Sequence, residues 1–207
     1  MVDSLIKASA QSAVEAAKKL QEPACQEFLV SAARMIADAF RRGNKILIAG
    51  NGGSLADALH FAEELTGFFR NKRRALPAIA LADPAHMSCV GNDVGFDQIF
   101  SRGVEAYGRP GDVFIGLTTS GNSMNLIKAF EAASKAELHT VAFLGKTGGQ
   151  LRGTADLEWI VDGFPFSDRI QEAHMAGIHI LIEAVEALLF FSAAKKSVPE
   201  ATFETVL

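Results

Sequence analysis

Lys45-Ile46-Leu47-Ile48-Ala49-Gly50-Asn51-Gly52-Gly53-Ser54 is the stretch of this 207-residue chain that decides its fold. Its apolar run is typical of a strand buried in a parallel sheet, and the small residues after it predict a turn into a helix. The pattern returns where Val113-Phe114-Ile115-Gly116-Leu117 is followed by Thr118-Thr119-Ser120-Gly121-Asn122-Ser123. Such loops bind ligands in α/β proteins, because small residues let the ligand approach and helix N-termini offer free N–H groups. Together the two loops predict a ligand with an anionic end and a polar body, such as a sugar phosphate.

Strand and helix patterns alternate along the rest of the chain. Strands are predicted at 45–49, 76–82, 112–118, 140–145 and 157–161. Helices are predicted at 4–20, 23–42, 55–68, 84–90, 96–106, 122–137, 148–153 and 168–191. This alternation predicts an α/β fold, a doubly wound five-stranded parallel sheet flanked by helices and preceded by an N-terminal helix pair. We expect a single domain over 1–207, with the N-terminal helices in 1–42 and a C-terminal tail at 193–207.

Composition narrows the function classes. The chain is 49% hydrophobic with a formal net charge of -4, so a large core is possible and general nucleic-acid binding is not expected. Two cysteines, Cys25 and Cys89, predict no disulfide framework and indicate a reducing, cytoplasmic setting. No signal peptide is expected, and no membrane span either, because the apolar run at 187–191 is short and follows Glu183 and Glu186.

Two nucleotide-binding motifs are incomplete in this chain. The third glycine of a dinucleotide fingerprint beginning at Gly50 would fall at Leu55. The leading glycine of a Walker A loop ending in Gly145-Lys146-Thr147 would fall at Thr140. The sequence therefore predicts no nucleotide cofactor.

Four side chains suited to acid–base chemistry or metal binding lie on predicted helices. His60 and Glu64 are four residues apart and share a helix face just after the first loop. Gln171 and His179 are eight residues apart on the last helix, on roughly the same side. Spacing alone leaves alternatives open: the first pair is also typical of a solvated helix face, and His179 of a hydrogen-bonded core histidine.

Longer motifs connect these residues into a family pattern. They are Gly50–Ser54, Asp57–Gly67, Leu76–Leu81, Asn92-Asp93, Thr119–Ser123 and Asp168–His179. On these motifs the chain resembles the sugar isomerase (SIS) domain family over nearly its whole length. It is most similar to the bacterial sedoheptulose 7-phosphate isomerases, also called phosphoheptose isomerases.

The resemblance implies an enzyme, an aldose–ketose isomerase. Such enzymes convert D-sedoheptulose 7-phosphate to D-glycero-D-manno-heptose 7-phosphate through an enediol, the first step of heptose biosynthesis for the lipopolysaccharide core. The resemblance implies Glu64 as the base and His179 as its acid partner. It also implies one zinc ion per subunit, held at His60, Glu64, Gln171 and His179. Whether Glu64 is base, metal ligand or both stays open.

The resemblance also implies the substrate contacts. The phosphate would be held by the hydroxyls of Thr118, Thr119, Ser120 and Ser123, for which ordinary turn and cap chemistry is the alternative. The sugar body would meet Asn51, Gly52, Gly53, Asn92, Asp93 and Gln171. Asp168 is expected as a helix cap, a substrate contact or both. The family pattern further implies a homotetramer with active sites at subunit interfaces, whereas His86, His139 and His174 are predicted to be surface or structural residues.

The chain departs from the family pattern at Leu55, Thr118 and Phe68, and two rival functions stay open. Phe68 stands where many family members have an arginine. Nearby basic residues could compensate, although a basic loop is usually just solvated; they are Arg70, Lys72, Arg73 and Arg74. The main rival is a non-catalytic SIS scaffold that binds a protein partner, resembling the DnaA initiator-associating proteins. The second is a regulatory sugar-phosphate sensor. The enzyme is favoured because a scaffold has no need of the four acid–base residues together.

Overall fold

The structure, a computed structural model, describes residues 1–191; the tail predicted at 193–207 lies outside the described residues. Five parallel strands form one sheet in the order β2-β1-β3-β4-β5. They are β1 (Ile46–Gly50), β2 (Ala78–Ala80), β3 (Val113–Thr118), β4 (His139–Gly145) and β5 (Leu157–Val161). The predicted parallel five-stranded sheet is confirmed.

Seven α-helices surround this sheet in the described part of the chain. They are α1 (Val2–Lys18), α2 (Pro23–Arg41), α3 (Gly53–Thr66), α4 (Pro84–Asp93), α5 (Ile99–Tyr107), α6 (Met124–Lys135) and α7 (Ser167–Glu186). The short helix predicted at 148–153 is a single 3₁₀ turn, Gly149–Leu151, and α7 continues as a π-helical turn, Ala187–Phe191. Helix α4 begins as predicted, because Asp83 accepts a hydrogen bond from the His86 backbone N–H at 2.6 Å and Pro84 occupies the first turn.

The sheet buries both of its faces. Along β1, Ile46 and Ile48 contact a core that includes residues of α1, α2, α3 and α7, whereas Leu47 and Ala49 contact the core of α4, α5 and α6. Successive side chains of a strand point to opposite faces, so a strand covered on both sides is apolar throughout. This is why the strands read as continuous apolar runs in the sequence.

Strand β2 is shorter than predicted. The prediction of 76–82 is wrong at both ends, since only Ala78–Ala80 is strand. Pro77 has no N–H to donate, and the Ala82 N–H turns back to the Ala80 carbonyl at 2.9 Å. The strand pairs with β1 alone and so lies at the sheet edge, where such interruptions are tolerated.

The strand order brings the two sequence loops together. The chain passes from β1 to β2 on one side and then to β3 on the other, so β1 and β3 are neighbours whose connections diverge. Gly50 pairs with Leu117, so both strands end at the same level. Crevices form at such a switch point, beyond the carboxyl ends of the strands. The loops after β1 and β3 therefore face one crevice.

Helix α7 and the π-helical turn that continues it form a long apolar stretch. Within residues 1–191, Ser167–Phe191 is the one stretch long and apolar enough to cross a membrane by length and composition. Core helices of folded domains pass the same test, and Ile178, Leu181 and Ile182 of this helix are buried in the core that it shares with α2 and α3.

Candidate active site

A cavity of about 300 Å³ occupies the crevice between the loops after β1 and β3. Its lining includes most of the predicted substrate contacts: Asn51, Gly52, Gly53, Thr118, Thr119, Ser120, Ser123 and Gln171, together with Ser54, Leu117 and Ser167. Hydroxyl and amide groups thus converge at the N-terminus of α3 and just before α6. This combination suits an anion.

Two glycines shape the first loop. Gly52 has φ 57° and ψ -120°, a backbone conformation that residues with a Cβ avoid. A Cβ on Gly53 would lie 2.7 Å from the Gln171 side chain, so this glycine lets α7 approach the loop. Asn51 exchanges two amide hydrogen bonds with the buried Asn125, at 2.8 and 2.9 Å. Asn125, which the sequence analysis did not single out, therefore ties the first loop to α6.

The second loop is shaped by its own hydroxyls. Thr118 is buried and accepts a hydrogen bond from the Gly121 N–H at 3.2 Å, and Ser120 Oγ accepts one from the Asn122 N–H at the same distance. Ser123 precedes α6, and within residues 1–191 its side chain makes no capping hydrogen bond. Ser123 therefore lines the cavity without a role as a side-chain cap of α6.

A second cavity of about 530 Å³ borders the first. It is lined by Asp57, Asp168, Gln171 and His179, with Glu172, Met175 and Ala176. Gln171 lines both cavities and donates to Ser54 Oγ at 3.2 Å. The predicted anion site and the predicted acid–base site are therefore adjacent, with Gln171 between them.

Three of the predicted acid–base residues converge. His60 Nε2 lies 3.0 Å from His179 Nε2 and 3.6 Å from Glu64 Oε1. On the other side of the ring, His60 Nδ1 lies 3.1 Å from Glu63 Oε1. Potential ligand atoms of His60, Glu63 and Glu64 fall within 4.8 Å of one another. Glu63 was not predicted, and its carboxylate can fix the His60 tautomer that leaves Nε2 free to bind a metal.

The surroundings of this cluster shift two pKa values. Burial lowers the pKa of His179; the neighbouring His60 lowers it further, and Glu64 opposes both effects. Burial raises the pKa of Asp57 to about 6, with His60 acting in the opposite direction. One oxygen of this carboxylate is buried and has no hydrogen-bond partner within residues 1–191. Asp57 was missed as a site residue because its spacing from His60 resembles an ordinary helix pair.

Several residues that the sequence analysis named lie outside both cavities. Asn92 and Asp93 are exposed in the last turn of α4, bonded to each other at 2.6 Å, and line neither of the two cavities. The expectation of a solvated basic loop is wrong for Arg73, whose side chain is 2% exposed and pairs with Glu186. His174 is a buried structural residue whose Nε2 lies 2.9 Å from the Leu144 carbonyl oxygen.

The family profile, the relatives and the solved structure that resemble this chain agree with one another. The SIS domain profile matches residues 9–145. Phosphoheptose isomerase from Fusobacterium nucleatum is 58% identical over 158 residues, 76% of this chain and 81% of that protein. The Escherichia coli protein of the same name is 50% identical over 187 residues, 90% of this chain and 97% of that protein. A solved phosphoheptose isomerase from Neisseria gonorrhoeae has a TM-score of 0.82 and 36% identity, covering 90% of this chain and 100% of that one.

Proposed function

Because this chain belongs to the SIS domain family and, within it, to the phosphoheptose isomerases, we propose that its substrate is D-sedoheptulose 7-phosphate and its product D-glycero-D-manno-heptose 7-phosphate. The chain is an aldose–ketose isomerase of heptose biosynthesis. The observation that carries the site assignment is the position of Gln171 between the two cavities, which lets one sugar phosphate occupy both. Its phosphate would lie against the loops and its reacting carbons beside His179.

The reaction moves hydrogen between neighbouring carbons. A carboxylate base removes a proton from C1 of the ketose, the C2 oxygen gains a proton, and an enediol forms. The base then returns its proton to C2 while the C1 hydroxyl loses one, which yields the aldehyde. Glu64 is the proposed base, and the imidazole of His179 is the proposed group that moves the proton between the two oxygens.

A zinc ion is the proposed cofactor. The donors chemically suit zinc, because two imidazoles and a carboxylate are common zinc ligands. The distance of 3.0 Å between the Nε2 atoms of His60 and His179 is near the roughly 3.3 Å that separates two ligands on a tetrahedral zinc ion. His60, Glu64, His179 and Gln171 would hold it. When bound, the ion would polarise the substrate oxygens and stabilise negative charge on them.

The substrate contacts follow from the cavity lining. The proposed phosphate donors are the hydroxyls of Thr119, Ser120 and Ser123, which line the first cavity. Thr118 supports this loop through its bond to Gly121. Asn92 and Asp93 lie outside both cavities in one chain, so we infer that they reach the sugar from a neighbouring subunit.

The remaining proposals concern assembly, location and the rivals. We infer a homotetramer with active sites at subunit interfaces, and a cytoplasmic enzyme, as befits a biosynthetic isomerase of phosphorylated sugars. The scaffold alternative is not favoured, because the relatives at 50–58% identity are named isomerases and this chain keeps a clustered His60, Glu64 and His179.

The direct test is incubation of the purified chain with sedoheptulose 7-phosphate, with and without a zinc chelator, followed by chromatographic separation of the isomeric products. We expect an aldose heptose phosphate of unchanged mass, loss of activity with chelator, and recovery with added zinc. An active enzyme free of metal would remove zinc from the proposal and leave acid–base chemistry alone. No turnover in a zinc-loaded preparation would contradict the substrate assignment.

A further inference from the structure

A buried ion pair lies behind the acid–base cluster, outside both cavities. Arg73, in the loop between α3 and β2, places its Nε 2.7 Å from Oε1 of Glu186, at the end of α7. The two side chains are 2% and 3% exposed. Burial of two charges is costly and often no more stabilising than an apolar pair, so such a pair calls for a reason beyond stability.

The guanidinium also binds the end of α3. Nη2 donates to the Glu64 carbonyl at 2.8 Å, and Nη1 donates to the carbonyls of Leu65 and Gly67 at 2.8 and 2.7 Å. The last carbonyls of a helix have no partner within the helix, and a cation there also interacts favourably with the helix dipole. Arg73 therefore fixes the backbone of Glu64 itself.

Glu186 acts on the opposite side of the cluster. It lies on α7 two turns after His179, and its Oε1 also accepts a hydrogen bond from the Phe69 N–H at 3.4 Å. The Phe69 ring stacks on the His179 imidazole, with centroids 5.5 Å apart and an interplanar angle of 25°. One carboxylate thus holds both Arg73 and the residue that packs against His179.

We propose that Arg73 and Glu186 are positioning residues, a clamp that fixes Glu64 on α3 and His179 on α7 at the separation the reaction requires. The inference rests on the proposed roles of Glu64 and His179. The clamp contacts neither the phosphate cavity nor its loops, so its loss should impair turnover and metal binding and leave substrate affinity nearly unchanged.

Four variants test the clamp, with kcat and KM measured for each. Arg73→Lys keeps the positive charge but cannot reach the three carbonyls together. Glu186→Gln keeps the shape and removes the charge. The double variant Arg73→Met, Glu186→Met removes both charges and should remain folded, because no buried charge is left unpaired. Glu183→Gln is the matched control. Glu183, on α7, pairs at 2.5 Å with Arg70, which lies in the same loop as Arg73, but the Glu183 side chain is 52% exposed and the Arg70 side chain 58%.

We expect kcat to fall about 10- to 100-fold in the three clamp variants, with KM within about twofold of wild type and Glu183→Gln unaffected. Zinc affinity of the metal-free proteins, measured by competition with a coloured chelator, should fall by a similar factor. Circular dichroism and thermal midpoints establish that each variant is folded. If the pair is merely structural, every folded variant should have a normal kcat, and that result would overturn the clamp. If Arg73→Lys and the double variant do not fold, a normal kcat in Glu186→Gln is sufficient to overturn it.

A parallel Glu64→Gln variant separates this inference from the proposed function. An inactive Glu64→Gln beside normal clamp variants would reject the clamp alone. A fully active Glu64→Gln would reject the assigned base. If the wild-type chain binds no zinc, the kinetic constants alone test the clamp. A fall in kcat with an unchanged KM supports it, and an unchanged kcat overturns it.

Discussion

Glu64 on α3 and His179 on α7 approach the same ring nitrogen of His60, at 3.6 and 3.0 Å. In the proposed mechanism, removing either group removes a proton-transfer partner or a metal ligand. We expect Glu64→Gln and His179→Gln each to lower kcat by about 10²- to 10⁴-fold with the fold retained. Steady-state kinetics on sedoheptulose 7-phosphate measure this, with Glu105→Gln on the remote α5 as control. Near-normal turnover in both variants would contradict the assigned chemistry.

We expect the buried His174 to make the stability of the protein depend on pH, separately from catalysis. It is fully buried, and burial lowers its pKa from 6.5 to about 4, only partly opposed by its hydrogen bond to Leu144. Between these two values the unfolded chain binds more protons, so the free energy of unfolding should fall by about 3 kcal/mol as pH drops from 7 to 4.

His174→Gln can retain the hydrogen bond to Leu144 and cannot titrate. Urea unfolding at pH 7, 5.5 and 4 should therefore show a flatter pH dependence for this variant than for the wild type. Equal slopes for the two proteins would show that His174 titrates normally.

The loops after β1 and β3 are elements whose position the sequence predicts well. Gly50–Ser54 and Thr118–Ser123 each follow a continuous apolar strand, and local patterns of this kind depend only on neighbours along the chain. The strand order was not predicted, because the alternation of strands and helices does not determine that β3 pairs with β1 and not with β2. The contacts of Arg73 with Glu186 and of Asn51 with Asn125 could not be predicted, because they join residues 113 and 74 positions apart with no periodic signature. A buried arginine and a solvated one look the same in a basic loop.

The loop after β3 yields a prediction of its own. Within the described chain the Ser123 side chain makes no capping bond and lines the cavity, whereas Thr118 is committed to the loop backbone. Ser123→Ala should therefore raise KM about tenfold with a smaller change in kcat, because a hydrogen bond to a charged group is lost. Ser134→Ala, on the same helix outside the cavity, is the control. An unchanged KM in Ser123→Ala would place the phosphate elsewhere.

At the scale of the whole molecule, the described residues 1–191 leave apolar side chains exposed. On α1, Val2, Leu5 and Ile6 are 65%, 67% and 60% exposed. In the most apolar 18-residue segment of Ser167–Phe191, only 39% of the residues are buried within this chain. Exposed apolar patches of this kind mark contacts between proteins. Copies of the chain itself are the proposed cover, in a closed symmetric assembly.

This assembly should be required for catalysis, because Asn92 and Asp93 line neither cavity of a single chain. We expect Leu5→Glu to place a charge in the contact, lower the sedimentation coefficient from that of a tetramer, and abolish turnover while circular dichroism stays that of the wild type. Lys7→Glu, a charge change on the same helix, should leave both properties unchanged. Sedimentation velocity and kinetics at the same protein concentration decide the matter. A fully active monomer would show that each chain carries a complete site and would require Asn92 and Asp93 to have some other role.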